Sequence, residues 1–401
     1  MMSGFRKYYF LLICIYLFIH ISAQEDDDDE DKLGKKDPIY VVPREEKLNY
    51  YQYHYDEVYK SRAGKYRKPA FATPEIIWVK RKLGTMTAQP FGAIDHVIVG
   101  TNTKRLYYLD PKTGDSSSFS VKVKGTPFWI GNNDEMSTLS TNRIGFLFSY
   151  VKSNLKWQYR VKAFNHREQL WAGSLAWGAG VYISFLNHYP VFVDCNKKRV
   201  INKKSGKLDA ELTVPMAVIG TDVILCTADG RISAYDKGFS RVRYYYKLPT
   251  SYATAMIVEK QYLYVASADK MFRKVEFKKK KVIWEVELDG KSFNSIVKKG
   301  SEIFVPAGSF YIFNDKDGRK LFKRPTIGLE GFGRTKPLIT KDRIYVCDRI
   351  GNFFIFEKKT KAFMQVINLN ADVMMDFFVM DKILIIGTTK AHILGVDLGL
   401  Y

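Results

Sequence analysis

From about residue 75 to the end, the chain repeats itself roughly every 40 residues. Each repeat contains a short apolar strand that ends just before a polar corner. Its last residue is Gly100 in "VIVGTNT", Ser184 in "VYISFLN", Cys226 in "VILCTAD", Ala266 in "LYVASAD", Pro306 in "IFVPAGS", Cys347 in "IYVCDRI" and Gly387 in "LIIGTTK". From Ser184 onward the spacings are 42, 40, 40, 41 and 40 residues. The 84 residues between Gly100 and Ser184 leave room for one more unit, whose strand is read as "IGFLFSYV", Ile144 to Val151. Eight units result. A second landmark keeps register with the first: an acid stands ten residues after the anchor at Asp110, Asp194, Asp236, Glu276, Glu357 and Asp397, and nine after it at Asp315.

These acids close runs such as "RLYYLD" and "RISAYD" and lead into turns such as "DPKTG" and "DKDG". An Asp side chain accepts hydrogen bonds from backbone N–H groups just ahead of it, and Gly supplies positive φ, so the acids are read as structural turn formers rather than catalysts. After each turn comes another strand, for example "KVIWEVEL", and before each anchor another, such as "AMIVEKQY". About four short antiparallel strands in 40 residues are the signature of a propeller blade, which cannot cover its own apolar faces and needs neighbours. The expected fold is all-β, an eight-bladed β-propeller of four-stranded antiparallel blades. The last unit stops at Asp397 without a fourth strand, while "EIIWVKRKL" precedes the first anchor with nothing of its own to join. Residues 76 to 82, with Ile76, Ile77 and Trp78, are therefore expected to complete the last blade and close the ring, removing exposed sheet edges.

The residues before the repeats have other tasks. Arg6 and Lys7 precede an almost wholly apolar run, Tyr8 to Ile21, and Ser22-Ala23 offers a cleavage point. Fourteen apolar residues fall short of the ~20 that span a membrane, so 1–23 is read as a signal peptide and the protein as secreted or lumenal. Residues 24–74 form an extension, first acidic ("EDDDDED", Glu25 to Asp31), then tyrosine-rich, with no sustained period; the acidic run is expected to be solvated. The propeller is assigned to 75–401. Cys195, Cys226 and Cys347 follow the signal, and the latter two lie inside apolar strands as small buried hydrophobes. Apart from Arg6 and Lys7, 61 basic residues face 42 acidic ones, and without the acidic run the body carries +26. Such a surface favours anionic glycans, membrane headgroups or acidic proteins, and a secretory route disfavours nucleic acid.

The stretch "VIVGTNTKRLYYLDPKTG" resembles the quinoprotein-type propeller repeat: an apolar strand, Gly-Thr, a polar corner, Leu-x-x-Leu-Asp, Thr-Gly and then Trp. "VILCTADGRISAYDKG" and "IYVCDRIGNFFIFEKKT" match it in part, and the resemblance covers about residues 76 to 400. One branch of that family comprises dehydrogenases using pyrroloquinoline quinone and calcium. The other comprises non-catalytic platforms, including bacterial outer-membrane assembly scaffolds and lumenal sensors of unfolded protein. The enzymes typically carry a vicinal cysteine pair, whereas no two cysteines are adjacent here and "VDCN" at Val193 to Asn196 does not rebuild such a site.

Other chemistry is weakly signalled. His54, His96, His166, His188 and His392 occur singly, without zinc-ligand spacing. "WAGSLAWGAG" at Trp171 to Gly180 lacks the Lys-Ser/Thr of a phosphate loop and is read as a tight inner strand. "FRKVEFKKKKVIW" gathers Arg273, Lys274, Lys278, Lys279, Lys280 and Lys281 at one turn, a candidate patch for an anionic partner. The expectation is a non-enzymatic scaffold without cofactor or metal that binds a protein partner, or else an anionic glycan or membrane surface. A quinone-dependent oxidoreductase or lyase using the central channel is the alternative, and a sensor of unfolded protein the second.

Overall fold

In the computed structural model of the chain, the described residues are 74–399 except 94, 133–136, 143–145, 152–153, 161–169, 178–179, 186–187, 198, 202–206, 250, 294–295, 326–334, 349, 370 and 374–375. Contacts divide the chain into Met1–Pro38 and Ile39–Tyr401. The expected signal peptide, the acidic run, the tyrosine-rich piece, His54 and His166 lie outside the described residues.

Thirty-two strands form eight four-stranded antiparallel sheets. Seven are contiguous in the chain, at 91–122, 127–160, 170–200, 217–247, 253–287, 297–325 and 338–368, here blades 1 to 7. The eighth sheet is composite: three strands within 378–397 are joined by Glu75–Lys80, which pairs antiparallel with Ile393–Asp397. Ile76 faces Val396 and Trp78 faces Gly395, with a bulge between them. A bulge inserts one residue and breaks the side-to-side alternation. Ile76 thus packs with Tyr345 and Phe353 of blade 7, while Trp78 packs with Val97, Val99 and Leu109 of blade 1. A similar shift between third and fourth strands recurs in blades 1, 2, 4, 5, 6 and 7.

The second blade departs from its sequence reading, which is corrected. Its second strand is Ser137–Asn142, "STLSTN", whereas Phe146–Val151 is the third. Gly100 pairs with Leu106 in blade 1 and Thr141 with Leu147 in blade 2, so the anchor is Thr141. The apolar pattern favours the stronger run; here the second strand is mostly Ser and Thr, and Thr suits a strand through its branched Cβ without being hydrophobic.

The core lies between blades. Tyr264, Phe272 and Trp284 of blade 5 mesh with Ile303, Val305 and Phe313 of blade 6, and Phe304 and Phe310 of blade 6 with Ile344 and Phe354 of blade 7. Burying one such large side chain contributes about 1.5–3 kcal/mol, and a lone blade would leave both faces wet. Backbone bonds add to this at one end of the strands. The corner between second and third strands of blade 5 bonds the link entering the blade, through Ala268 N–H to the Tyr252 carbonyl at 3.0 Å. It also bonds the link leaving it, through Leu288 N–H to the Lys270 carbonyl at 2.8 Å. The same double bond is made around the corners of blades 1 and 4.

Candidate functional site

Antiparallel blades have two unlike ends. The first-to-second and third-to-fourth turns fall at one end, the turn face; the second-to-third corners and the links between blades fall at the other, the link face. Short polar side chains stiffen the link-face corners. Thr227 donates to Asp229 at 2.6 Å and Ser267 to Asp269 at 2.7 Å. In blade 7 the buried Asp348 accepts from Asn352 N–H (2.8 Å), Asn352 Nδ2 (2.7 Å) and Ile350 N–H (3.1 Å), and burial still pushes its pKa above the usual carboxylate value.

On this braced surface large apolar groups meet solvent. Tyr252 lies on the link from blade 4 to 5, Phe293, 44% exposed, on the link from 5 to 6, and Ile350, 45% exposed, on the corner of blade 7. Ile201 instead continues the outer strand of blade 3 at the rim, where its N–H bonds the Phe192 carbonyl at 3.0 Å. The remaining exposed large hydrophobics among the described residues, Val242, Tyr245, Ile283 and Leu321, lie on outer strands at the rim. None lies on the turn face. Sequence reasoning passed over Tyr252, Phe293 and Ile350; the available signal was an apolar residue embedded in turn-forming stretches such as "DGKSFNS".

The six-residue basic patch divides. Arg273 and Lys274 are buried: Arg273 pairs with Asp269 (3.0 Å) and Glu285 (3.1 Å), and Lys274 with Asp315 (2.8 Å). Lys278, Lys279, Lys280 and Lys281 are exposed together at the turn before the outer strand Lys281–Glu287, with Lys279 paired to Glu276 at 2.9 Å.

Turn acids show what each does. Asp110 accepts from Lys112 and Thr113 N–H (2.7 and 2.9 Å), Asp194 from Asn196 and Lys197 N–H (3.0 and 2.9 Å), Asp236 from Ser240 N–H (2.7 Å) and Asp397 from Gly399 N–H (2.8 Å). Glu357 accepts from the Thr360 hydroxyl. In blade 6, Asn314 holds the turn, accepting from Lys316 N–H at 2.8 Å. Asp315 instead joins blades 5 and 6: its carboxylate accepts from Tyr264 Oη (2.6 Å) and Lys274 Nζ (2.8 Å) and faces Lys298 Nζ at 3.4 Å. Burial alone would raise its pKa, but the bonds from Lys274 and Tyr264 and the two lysine charges hold it below the usual carboxylate value.

Its carbonyl also accepts from Trp284 Nε1 at 2.9 Å. Trp78, on the strand that completes the eighth sheet, repeats the contact on blade 1 by donating to the Pro111 carbonyl at 2.9 Å. Each indole lies on a turn glycine with positive φ. A Cβ on Gly114 would meet Trp78 at 2.6 Å and one on Gly318 would meet Trp284 at 2.8 Å. Ile76 is buried and Ile77 half-buried beside it.

Cys195, Cys226 and Cys347 are buried and form no disulfide with one another, and burial pushes the pKa of Cys226 and Cys347 up. Among the described residues no three His, Cys, Asp or Glu side chains come together as a metal site. "WAGSLAWGAG" supplies all but the first residue of Leu170–Trp177, the first strand of blade 3.

Blades of this build, with first strands of neighbours in contact and outer strands at the rim, define a β-propeller. No protein-family model matches the chain, and no curated protein matches it in sequence. Solved structures share the fold. BamB from Moraxella catarrhalis is similar with a TM-score of 0.66 and 16% identity, over 81% of this chain and 98% of that one. Sqt1 from Saccharomyces cerevisiae is similar with a TM-score of 0.64 and 11% identity, over 79% and 97%. The computationally designed Ika8 protein reaches 0.67 and 11%, over 79% and 97%.

Proposed function

We propose that the protein is a non-enzymatic scaffold of the secretory route that binds a protein partner through its link face. One observation carries this reading: Tyr252, Phe293 and Ile350 leave large apolar groups in solvent on the same end of the strands. Exposed apolar groups brought together on a rigid surface mark interaction sites, and aromatic anchors supply much of the energy in protein interfaces. The corners beneath are preorganised by the Asp229, Asp269 and Asp348 bonds, so ordering the surface adds little cost on binding. The apolar run Tyr8 to Ile21 behind Arg6 and Lys7 supports the secretory route.

The test is site-specific photocrosslinking from position 293 in the native cell, followed by the triple variant Tyr252→Ser, Phe293→Ser, Ile350→Ser. We expect one dominant crosslinked partner, and co-purification of that partner reduced at least about tenfold by the variant, whose melting temperature is retained because all three side chains are already exposed. A variant that keeps the partner at wild-type yield overturns the reading.

A further inference from the structure

The rim between blades 4 and 5 carries a second surface, which stands independently of the link face. On the outer strand of blade 4, Val242–Lys247, the Tyr245 ring is 43% exposed and touches two cations. The Arg231 guanidinium carbon lies 4.3 Å from the ring centroid, and Lys280 Nζ, arriving from the turn of blade 5, lies 4.6 Å from it. Tyr244 beside it packs edge-on against Phe277 with centroids 4.8 Å apart, donates its hydroxyl to Asp222 at 3.1 Å and carries Lys278 Nζ 5.8 Å from its centroid. Its pKa is pushed up to about 12, by burial first and then by Asp222. The turn that presents the lysines is fixed: Lys280 has φ 54° and its N–H bonds the Phe277 carbonyl at 3.1 Å.

Among the described residues no carboxylate forms an ion pair with Arg231, Lys278, Lys280 or Lys281. Their neighbours in sequence differ: Arg273, Lys274 and Lys279 all have acidic partners. A ring under a cation positions it through the quadrupole but does not neutralise it, and most of the cation's N–H donors stay free for an oxyanion. The geometry therefore points to a ligand with several oxyanions in a row and a flat apolar face to lie on the exposed tyrosine. We infer that this rim binds a linear sulfated polysaccharide, its sulfate esters on Arg231, Lys278 and Lys280 and a sugar ring against Tyr245.

Two other anionic partners fit less well. The blade 5 edge strand carries Lys281, Glu285 and Glu287 outward, and such charges on an edge discourage an acidic peptide from adding as a further strand. The cations bridge one blade's turn to the next blade's outer strand, a site at the gap between two edges that suits a chain better than a plane of headgroups.

The experiment titrates the full chain with a heparin hexasaccharide by calorimetry. Unsulfated hyaluronan hexasaccharide and phosphatidylcholine vesicles containing phosphatidylserine are the comparison arms. The heparin fragment should bind with an affinity that falls as salt rises, and hyaluronan at least about tenfold more weakly. Tyr245→Ala with Lys280→Ser should weaken heparin binding about tenfold, Tyr245→Phe should retain it, and Lys316→Ser, which removes one charge from the matching turn of blade 6, should change it less than about twofold. Absence of binding, equal loss with Lys316→Ser, or tighter residue-dependent binding to the vesicles overturns the inference. The double variant must melt at the wild-type temperature; if it does not, Tyr245→Phe with Lys280→Gln replaces it, with about fivefold weakening expected and an unchanged affinity counting against the site.

Discussion

At the scale of single residues, Asp315 shows how a corner two residues shorter changes a role. The corner of blade 6 between Pro306 and Ser309 is shorter than that of blade 5 between Ser267 and Met271. The third strand therefore ends early, Asn314 takes the turn position opposite Glu302, and the acid that follows is released to bind blade 5. Its folded pKa lies below the unfolded value near 3.9, so its contribution to stability is complete at neutral pH and is lost as pH falls through the folded value. Asp315→Asn should cost about 3 kcal/mol in urea denaturation at pH 7, because buried Lys274 loses its counter-charge, and the wild-type advantage should shrink at pH 3. An advantage that is the same at both pH values would remove the clamp from the argument. The acid itself is legible in the sequence as a periodic landmark, one residue out of step; its partners Tyr264, Lys274 and Lys298 are not, since they come from 17 to 51 residues away.

Individual strands and turns were readable to the degree that hydrophobicity and turn chemistry coincide. Blades 4 and 7 have wholly buried second strands, Asp222–Cys226 and Arg343–Cys347, and those of blades 5 and 6 are buried after their first residue, so all four stand out from their polar corners. In blade 2, Ser137–Asn142 lacks that contrast and Val151 occupies the place of the acid, opposite Ser137, so both landmarks fail at once. The link-face apolar groups are hidden for a different reason: a residue exposed on a loop has no period to obey. Some turn glycines carry more than their conformational need. Gly318 and Gly220 both have positive φ, 71° and 59°, but only Gly318 lies under an indole, and around Gly220 a Cβ would meet nothing within 4 Å. Alanine at 220 should cost about 1 kcal/mol from backbone strain, and at 318 about 1–3 kcal/mol more from displacing Trp284. Equal costs in chemical denaturation would show that the tryptophan adapts freely.

Across the whole molecule, stability comes from surfaces that no single blade owns, and the composite sheet is where that dependence is greatest. Trp78 pairs through its backbone with Gly395 and through its indole with Pro111, tying the last sheet to the first blade. Removing 75–80 should expose the apolar strand Ile393–Asp397 along its length and open the Trp78 site, giving associated material by light scattering; a monomer that still melts in one sharp transition would count against it. The six residues that make this join also impose an order of events during synthesis. Residues 75–80 leave the ribosome early, yet their hydrogen-bonding partners at 393–397 follow only after more than 300 further residues, on the order of 15 to 60 s at ordinary elongation rates. For that interval the nascent protein carries a strand whose complement does not yet exist.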